Sequence, residues 1–186
     1  MNIKVAIGLP TNRLVRPKTA QSLLETIVKS KNNYKFIVST RGYNTAENRN
    51  YISAQAVKSG CTHLMFTDDD MIYEHDTIEK LLAHDKDIVG GLYKTKYEEQ
   101  NDLIEYLDGK KEEDKLFECV ALGGGLLLVK TDVFKKVPEP WFGYKWHAGM
   151  VTESNDWYFC RKARESGFKI WCDTNVTAKH IGLYEY

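Results

Sequence analysis

The first half of the chain repeats one pattern, a short apolar run followed by a stretch of helical periodicity. IKVAIGL (3–9), YKFIVS (34–39), HLMFT (63–67) and KDIVGGLY (86–93) read as strands. Between the first two, KTAQSLLETIVKS (18–30) places Leu23, Leu24, Ile27 and Val28 on one helical face. Residues 46–59 carry a stripe of Ile52, Ala56 and Val57, and Gly60 follows where helices commonly end. DTIEKLLAH (76–84) predicts a short helix with Asp76 as its N-cap. This alternation is the rhythm of an open parallel α/β sheet.

The second half breaks the rhythm. Residues 94–115 are polar and strongly charged, as expected of a surface loop or hairpin. LFECVAL (116–122) and LLLVK (126–130) flank Gly123-Gly124-Gly125, and TDVFKKV (131–137) reads as a short helix. An aromatic loop, PEPWFGYKWHAGM (138–150), leads to a helix over 154–166 that Gly167 ends. A strand FKIWCD (168–173) and an extended piece VTAKHIG (176–182) close the pattern. The fold class expected is therefore α/β, an open, mostly parallel but mixed sheet flanked by helices. No repeat or linker divides residues 1–186, which read as a single domain.

Charge excludes one large class of function. Lys plus Arg and Asp plus Glu both number 26, so the net charge is zero, and no broad basic surface for nucleic acid is expected. Cys61, Cys119, Cys160 and Cys172 show no C-x-x-C spacing and sit among apolar residues, which reads as reduced core thiols of a cytoplasmic protein. The apolar stretch in MNIKVAIGLP is too short and too early for a signal peptide. No run approaches the roughly 20 apolar residues that span a bilayer.

Asp68, Asp69 and Asp70 directly follow the third apolar run. Three adjacent carboxylates repel one another, and the repulsion is relieved only if a cation or several donors sit among them. In open α/β sheets ligands bind beyond the carboxyl ends of the strands, where these acids lie. Their oxygens suit a hard cation such as Mg²⁺ or Mn²⁺, which also accepts phosphate oxygens. The blander alternative is a solvated acidic turn capping the next helix. Farther on, Glu153, Asn155 and Asp156 open a helix whose face continues with Phe159, Cys160 and Ala163. An Asp there also serves simply as a partner of the helix dipole. His180 stands in the last extended segment, where a lone His is commonly structural.

In this order the pieces resemble the GT-A glycosyltransferases, closest to the family 2 type. They are the first strand ending in Leu9-Pro10-Thr11-Asn12, the helix with Asn48-Arg49-Asn50 and the strand into Asp68-Asp69-Asp70. Gly123-Gly124-Gly125, Asp156-Trp157-Tyr158-Phe159-Cys160-Arg161 and His180-Ile181-Gly182 complete the series. The resemblance implies a GT-A fold and transfer of a sugar from a nucleotide-diphosphate donor to an acceptor hydroxyl, with inversion. UDP is the commonest nucleotide among similar proteins, and Mn²⁺ or Mg²⁺ is the implied cofactor. Asp68 and Asp69 would lie beside the nucleotide, with Asp68, Asp70 and His180 at the metal. Asp156 would be the general base. Asn155 stands where the family's glutamate is usual, and Glu153 is a nearby substitute for that acid. Arg49 would help hold the diphosphate, while Pro10, Thr11 and the Ser39-Thr40-Arg41 loop would line the base and ribose pocket. Gly124 and Gly125 would bring the backbone close to the donor sugar, or else form a plain tight turn. Trp141, Phe142, Tyr144, Trp146 and Trp157 would form an acceptor platform, or else a hydrophobic cluster beneath the loop.

Two rival functions meet the same residues. A nucleotidyltransferase of sugar metabolism usually carries a glycine- and lysine/arginine-rich loop after its first strand, and LPTNRLVRPK has no glycine. A non-catalytic nucleotide-sugar-binding module would be consistent with Asn155 in the place of the glutamate.

Overall fold

The computed structural model describes residues 3–11, 14–40, 42, 44–96, 101–109 and 114–182. In chain order the elements are β1 (Lys4–Pro10), α1 (Pro17–Lys29), β2 (Asn33–Ser39), α2 (Thr45–Lys58), β3 (His63–Thr67), β4 (Met71–Tyr73), α3 (Thr77–Ala83) and β5 (Ile88–Leu92). There follow β6 (Ile104–Tyr106), a 3-10 turn (Leu107–Gly109), β7 (Leu116–Leu122), β8 (Leu126–Lys130), α4 (Thr131–Lys136), β9 (Lys145–His147), β10 (Met150–Glu153), α5 (Asn155–Glu165) and β11 (Ile170–His180). Nine strands form one sheet in the order β2-β1-β3-β8-β5-β11-β7-β6, with β4 added against β11. β2, β1 and β3 are parallel, as are β5 and β11, while β8, β7 and β4 run against their neighbours. The expected open, mixed sheet is thus observed, with most strands sharing one direction.

Period-2 alternation along the strands feeds two cores. Val5 and Ile7 of β1 and Met65 of β3 face one layer, with Leu23 of α1 and Ile78 and Leu81 of α3. Ala6, Leu64 and Phe66 face the other, with Ile52 and Ala56 of α2, Phe134 of α4 and Phe159 of α5. The three-layer arrangement leaves the C-terminal ends of β1 and β3 open between α2 and α5.

The helix α1 is turned relative to expectation. Leu24 and Val28 point to solvent, 58% and 82% exposed, and the inward face is Thr19, Ser22, Leu23 and Thr26. Within this helix Ser22 Oγ donates to the Thr19 carbonyl and Thr26 Oγ1 to the Ser22 carbonyl. Those bonds satisfy the Ser22 and Thr26 hydroxyls, so these small side chains can face inward where α1 packs on β4, while the buried Thr19 hydroxyl has no hydrogen-bond partner among the described residues. Asp76 stands at the N-cap of α3 but makes no capping bond; its carboxylate pairs with Lys80 instead, at 2.9 Å. The short strands β4, β6, β9 and β10 were not expected, because three or four residues are too few to show a period. FKIWCD and VTAKHIG join as one strand, β11, whose register breaks between Asp173 and Thr177.

Trp141 and Phe142 belong to the core and not to an acceptor platform. Phe142 stacks on Phe159 with ring centroids 4.7 Å apart, and Trp141 Nε1 donates to the Val137 carbonyl at 2.9 Å. The four cysteines are buried and form no disulfide. Burial pushes the Cys160 and Cys172 thiols up to about 12. Against an ordinary thiol near 8.5 this leaves about 10³-fold less thiolate at neutral pH. Reaction with Ellman's reagent is therefore expected to be slow for the native protein and rapid for all four thiols in denaturant. Prompt native labelling of Cys160 or Cys172 would contradict this packing.

Candidate functional site

Each of the three aspartates meets a different donor in the turn between β3 and β4. Asp68 Oδ1 accepts from Arg49 Nη2 of α2 at 3.0 Å, and its backbone N–H donates to Tyr73 Oη at 3.0 Å. Asp69 Oδ2 accepts from Thr11 Oγ1 at 2.5 Å, which ties it to the end of β1. Asp70 forms an ion pair with Lys96. Its carbonyl accepts from the Ile181 N–H at 2.7 Å, beside the pairing of His180 with Met71 in the β11–β4 ladder. The acidic run is thus held by donors on three sides, and a purely solvated turn does not describe it.

Arg49 is the hub of the site. Its side chain is 3% exposed. It packs over Phe66 and Phe142 and donates from Nη1 to Asn155 Oδ1 at 2.6 Å. Nη1 also lies 3.9 Å from Asp156 Oδ2. Burial is the largest influence on this guanidinium and favours its neutral form, yet Asp68 and Asp156 together outweigh it and its pKa rises. Burial likewise pushes the Asp68 carboxyl up, against the downward pull of Arg49. Arg49 therefore bridges the two acid constellations from within and is not an exposed phosphate clamp. Tyr73 and Tyr93 are driven well above their ordinary values, first by burial and then by Asp68, so both remain neutral hydroxyls.

The loop between β7 and β8 closes the back of this hub. The Gly124 N–H donates to Asp156 Oδ2 at 3.1 Å, and the Gly125 N–H to Tyr93 Oη at 2.9 Å. A Cβ on Gly124 would lie 2.3 Å from Arg49 Nη1, and one on Gly125 would lie 2.6 Å from Asp68 Oδ2. The glycines thus make room for the protein's own charged side chains. Gly124→Ala is expected to cost about 1–3 kcal/mol by overpacking, read as a lowered urea midpoint; an unchanged midpoint would mean that Arg49 gives way freely.

Asp156, on the first turn of α5, also accepts from Ser154 Oγ and, at 3.2 Å, from the Trp157 N–H. A cavity of about 890 Å³ brings together Pro10, Thr11, Arg49, Asp68, Asp69, Asp70, Asp156, Trp157 and His180. Sequence reasoning missed Lys96, Tyr93 and Arg16, which also line it. Lys96 is one of several lysines in a charged stretch, and nothing in its spacing separates it from the others.

Five candidates are not part of this cavity as described: Gly124 and Gly125, which pack behind it against Arg49 and Asp68, and Glu153, Trp146 and Arg41. Glu153 points along α5, bonded to Arg161 Nε at 2.8 Å and 3.4 Å from Lys145 Nζ. Burial acts on its carboxyl first and upward, but Arg161 and Lys145 prevail and hold it below the ordinary range. Glu153 is thereby corrected to a structural ion-pair partner. Trp146 is 64% exposed on the β9–β10 hairpin and does not line the cavity. Arg41, like Asn12, lies outside the described residues.

The residues fit part of a divalent metal site. Among the described residues no three His, Cys, Asp or Glu side chains converge closely enough to hold an ion by themselves. Asp70, in the turn just before β4, and His180, at the end of β11, nevertheless line the cavity side by side, with one carboxylate and one imidazole as donors. His180 Nδ1 bonds the Lys94 carbonyl, which can only accept. Nε2 is then the nitrogen with a lone pair, the arrangement usual for metal-binding histidines. Hard oxygen ligands, from water or a phosphate group, would complete such a partial shell.

The fold is that of the GT-A class, a mixed α/β sheet, with the cavity at the strand ends. No family model matches the sequence, and no curated protein matches it. Among solved structures the chain is similar to A197 from STIV, with a TM-score of 0.67 at 19% identity over 97% of this chain and 86% of that one. It is also similar to two GT-A glycosyltransferases. One is GalNAc-T7, solved with UDP, GalNAc and Mn²⁺, with a TM-score of 0.58 at 12% identity over 99% of this chain. The other is S. aureus TarS, with a TM-score of 0.54 at 14% identity over 95% of this chain. The chain spans 43% of the former and 36% of the latter. No helix among the described residues is long and apolar enough to cross a membrane.

Proposed function

We propose that this protein is a glycosyltransferase that moves a sugar from a nucleotide-diphosphate donor, a UDP-sugar by preference, to an acceptor hydroxyl with inversion. One observation carries the reading: a single cavity joins the acids at the end of β3 to Asp156, with a buried arginine between them. Pro10 and Thr11 border the nucleotide, and Asp68 and Asp69 face its ribose. A Mn²⁺ or Mg²⁺ ion at Asp70, His180 and Asp68 would neutralise charge on the departing diphosphate. Asp156 takes the proton of the acceptor hydroxyl, and the Gly124 N–H, Ser154 Oγ and Arg49 hold its carboxylate in place. Trp157 presents an aromatic face to the acceptor at the cavity wall.

A panel of nucleotide sugars with Mn²⁺ tests this reading. The true donor at 100 times its dissociation constant should stabilise the fold by about 2.7 kcal/mol. It should also be slowly hydrolysed when no acceptor is present. Binding without any turnover would favour a non-catalytic module, and no response to any nucleotide sugar would end the proposal.

A further inference from the structure

Two of the three side chains assigned to the metal, His180 and Asp70, are bonded to one stretch of chain, the arm that leaves β5 at Tyr93. The Lys94 carbonyl takes His180 Nδ1, and the Lys96 ammonium takes Asp70 Oδ2. An antiparallel return steadies this arm: Lys94 bridges to Asp102, and the Thr95 N–H donates to the Asn101 carbonyl at 2.9 Å. The Leu103 N–H donates to the Tyr93 carbonyl at 3.0 Å.

The two contacts act in opposite senses on the two ligands. The Lys94 carbonyl prepares His180, because it holds the proton on Nδ1 and leaves the Nε2 lone pair for a cation. Lys96 masks Asp70, because its ammonium occupies the carboxylate oxygen that a cation needs. We propose that Lys96 is a built-in counter-ion of Asp70 that competes with the divalent cation, so that the ion binds only when the ammonium leaves. The inference rests on the reading of Asp70 and His180 as metal ligands.

Geometry favours an exchange of this kind. The Lys96 side chain is 42% exposed and that of Asp70 18%, so the ammonium can swing into water while the backbone of the arm stays paired. With neither cation present, Asp70 would stand beside Asp68 and Asp69 without compensation, which like-charge repulsion disfavours. A released Lys96 remains at the cavity wall, where it can meet the negative charge of an incoming diphosphate.

Mn²⁺ titrations followed by the electron paramagnetic resonance signal of the free ion test the competition without using activity. Lys96→Met should bind Mn²⁺ about fivefold more tightly than the wild type, the upper end for a half-exposed ion pair. Lys96→Arg keeps the charge and should stay near the wild type. Asp70→Asn should weaken binding in either background and abolish the difference between them. Equal or weaker Mn²⁺ binding by Lys96→Met, beside a wild type that binds, would overturn the competition and leave the metal site standing. If neither the wild type nor any variant binds Mn²⁺, or if Asp70→Asn binds it as the wild type does, the metal assignment falls and takes this inference with it.

Discussion

Asp156→Asn is expected to lower the sugar-transfer rate by roughly 10²–10⁴, the usual worth of a positioned base. The substitution keeps the shape of the side chain and removes its basicity. Asp156 lies across Arg49 from Asp68, so donor and Mn²⁺ affinity should change little. Steady-state kinetics should therefore show a fall in kcat with a nearly constant KM. Glu153→Gln is the control: it loosens the ion pairs to Arg161 and Lys145 and should leave transfer near the wild-type rate. If Glu153→Gln abolishes transfer while Asp156→Asn does not, the base is Glu153 and the role assigned to the Arg49 hub is wrong.

Arg49→Met should destabilise the protein by about 3–5 kcal/mol, the cost of removing one partner from a buried ion pair. Methionine fills much of the volume between Phe66 and Phe142, so the loss reports mainly the charge and its hydrogen bonds. It leaves Asp68 and Asp156 facing each other without the guanidinium, and Asn155 Oδ1 without its donor. Adding Asp68→Asn should recover part of the loss, because one of the stranded carboxylates is then neutral. Urea unfolding of the three proteins decides the matter. A loss below about 1 kcal/mol for Arg49→Met would mean that water or a rearranged lysine supplies the missing charge.

Arg49 also explains the departure at position 155. One guanidinium already serves two carboxylates, and Asn155 supplies an oxygen to it without adding a third negative charge. The sequence marks Asn155 only as a departure from the pattern it resembles, because spacing along the chain does not reveal how many acids share a cation. That count emerges only when α2, β3 and α5 are brought together.

Much of the fold was legible in the residues alone. IKVAIGL and HLMFT alternate between two cores as strands do, and the stripe of Ile52 and Ala56 marks the buried face of α2. The acids at the end of β3 announced the cavity end of the sheet, because carboxylates in a row at a strand terminus need a cation or donors nearby. Local spacing carries such information wherever one element meets one environment. It failed for α1, where leucine and valine face water while threonine and serine face inward. It could not choose for Trp141 and Phe142 between an acceptor platform and a hydrophobic cluster; the loop buries both in the core.

By itself the sequence determined the α/β alternation, the two-faced strands and the position of the acidic turn, because each follows from side-chain periodicity over a few residues. Only the tertiary structure decided which charges meet. Arg49 joins Asp68 to Asp156 across 106 positions of chain separating it from its Asn155 partner, and Lys96 reaches Asp70 from an arm whose composition resembles any solvated loop. Glu153 and Asp156 are three positions apart, yet one turns to Arg161 and the other to the cavity. Coulomb interactions depend on distance in space and on burial, and neither is written in the spacing of residues along the chain.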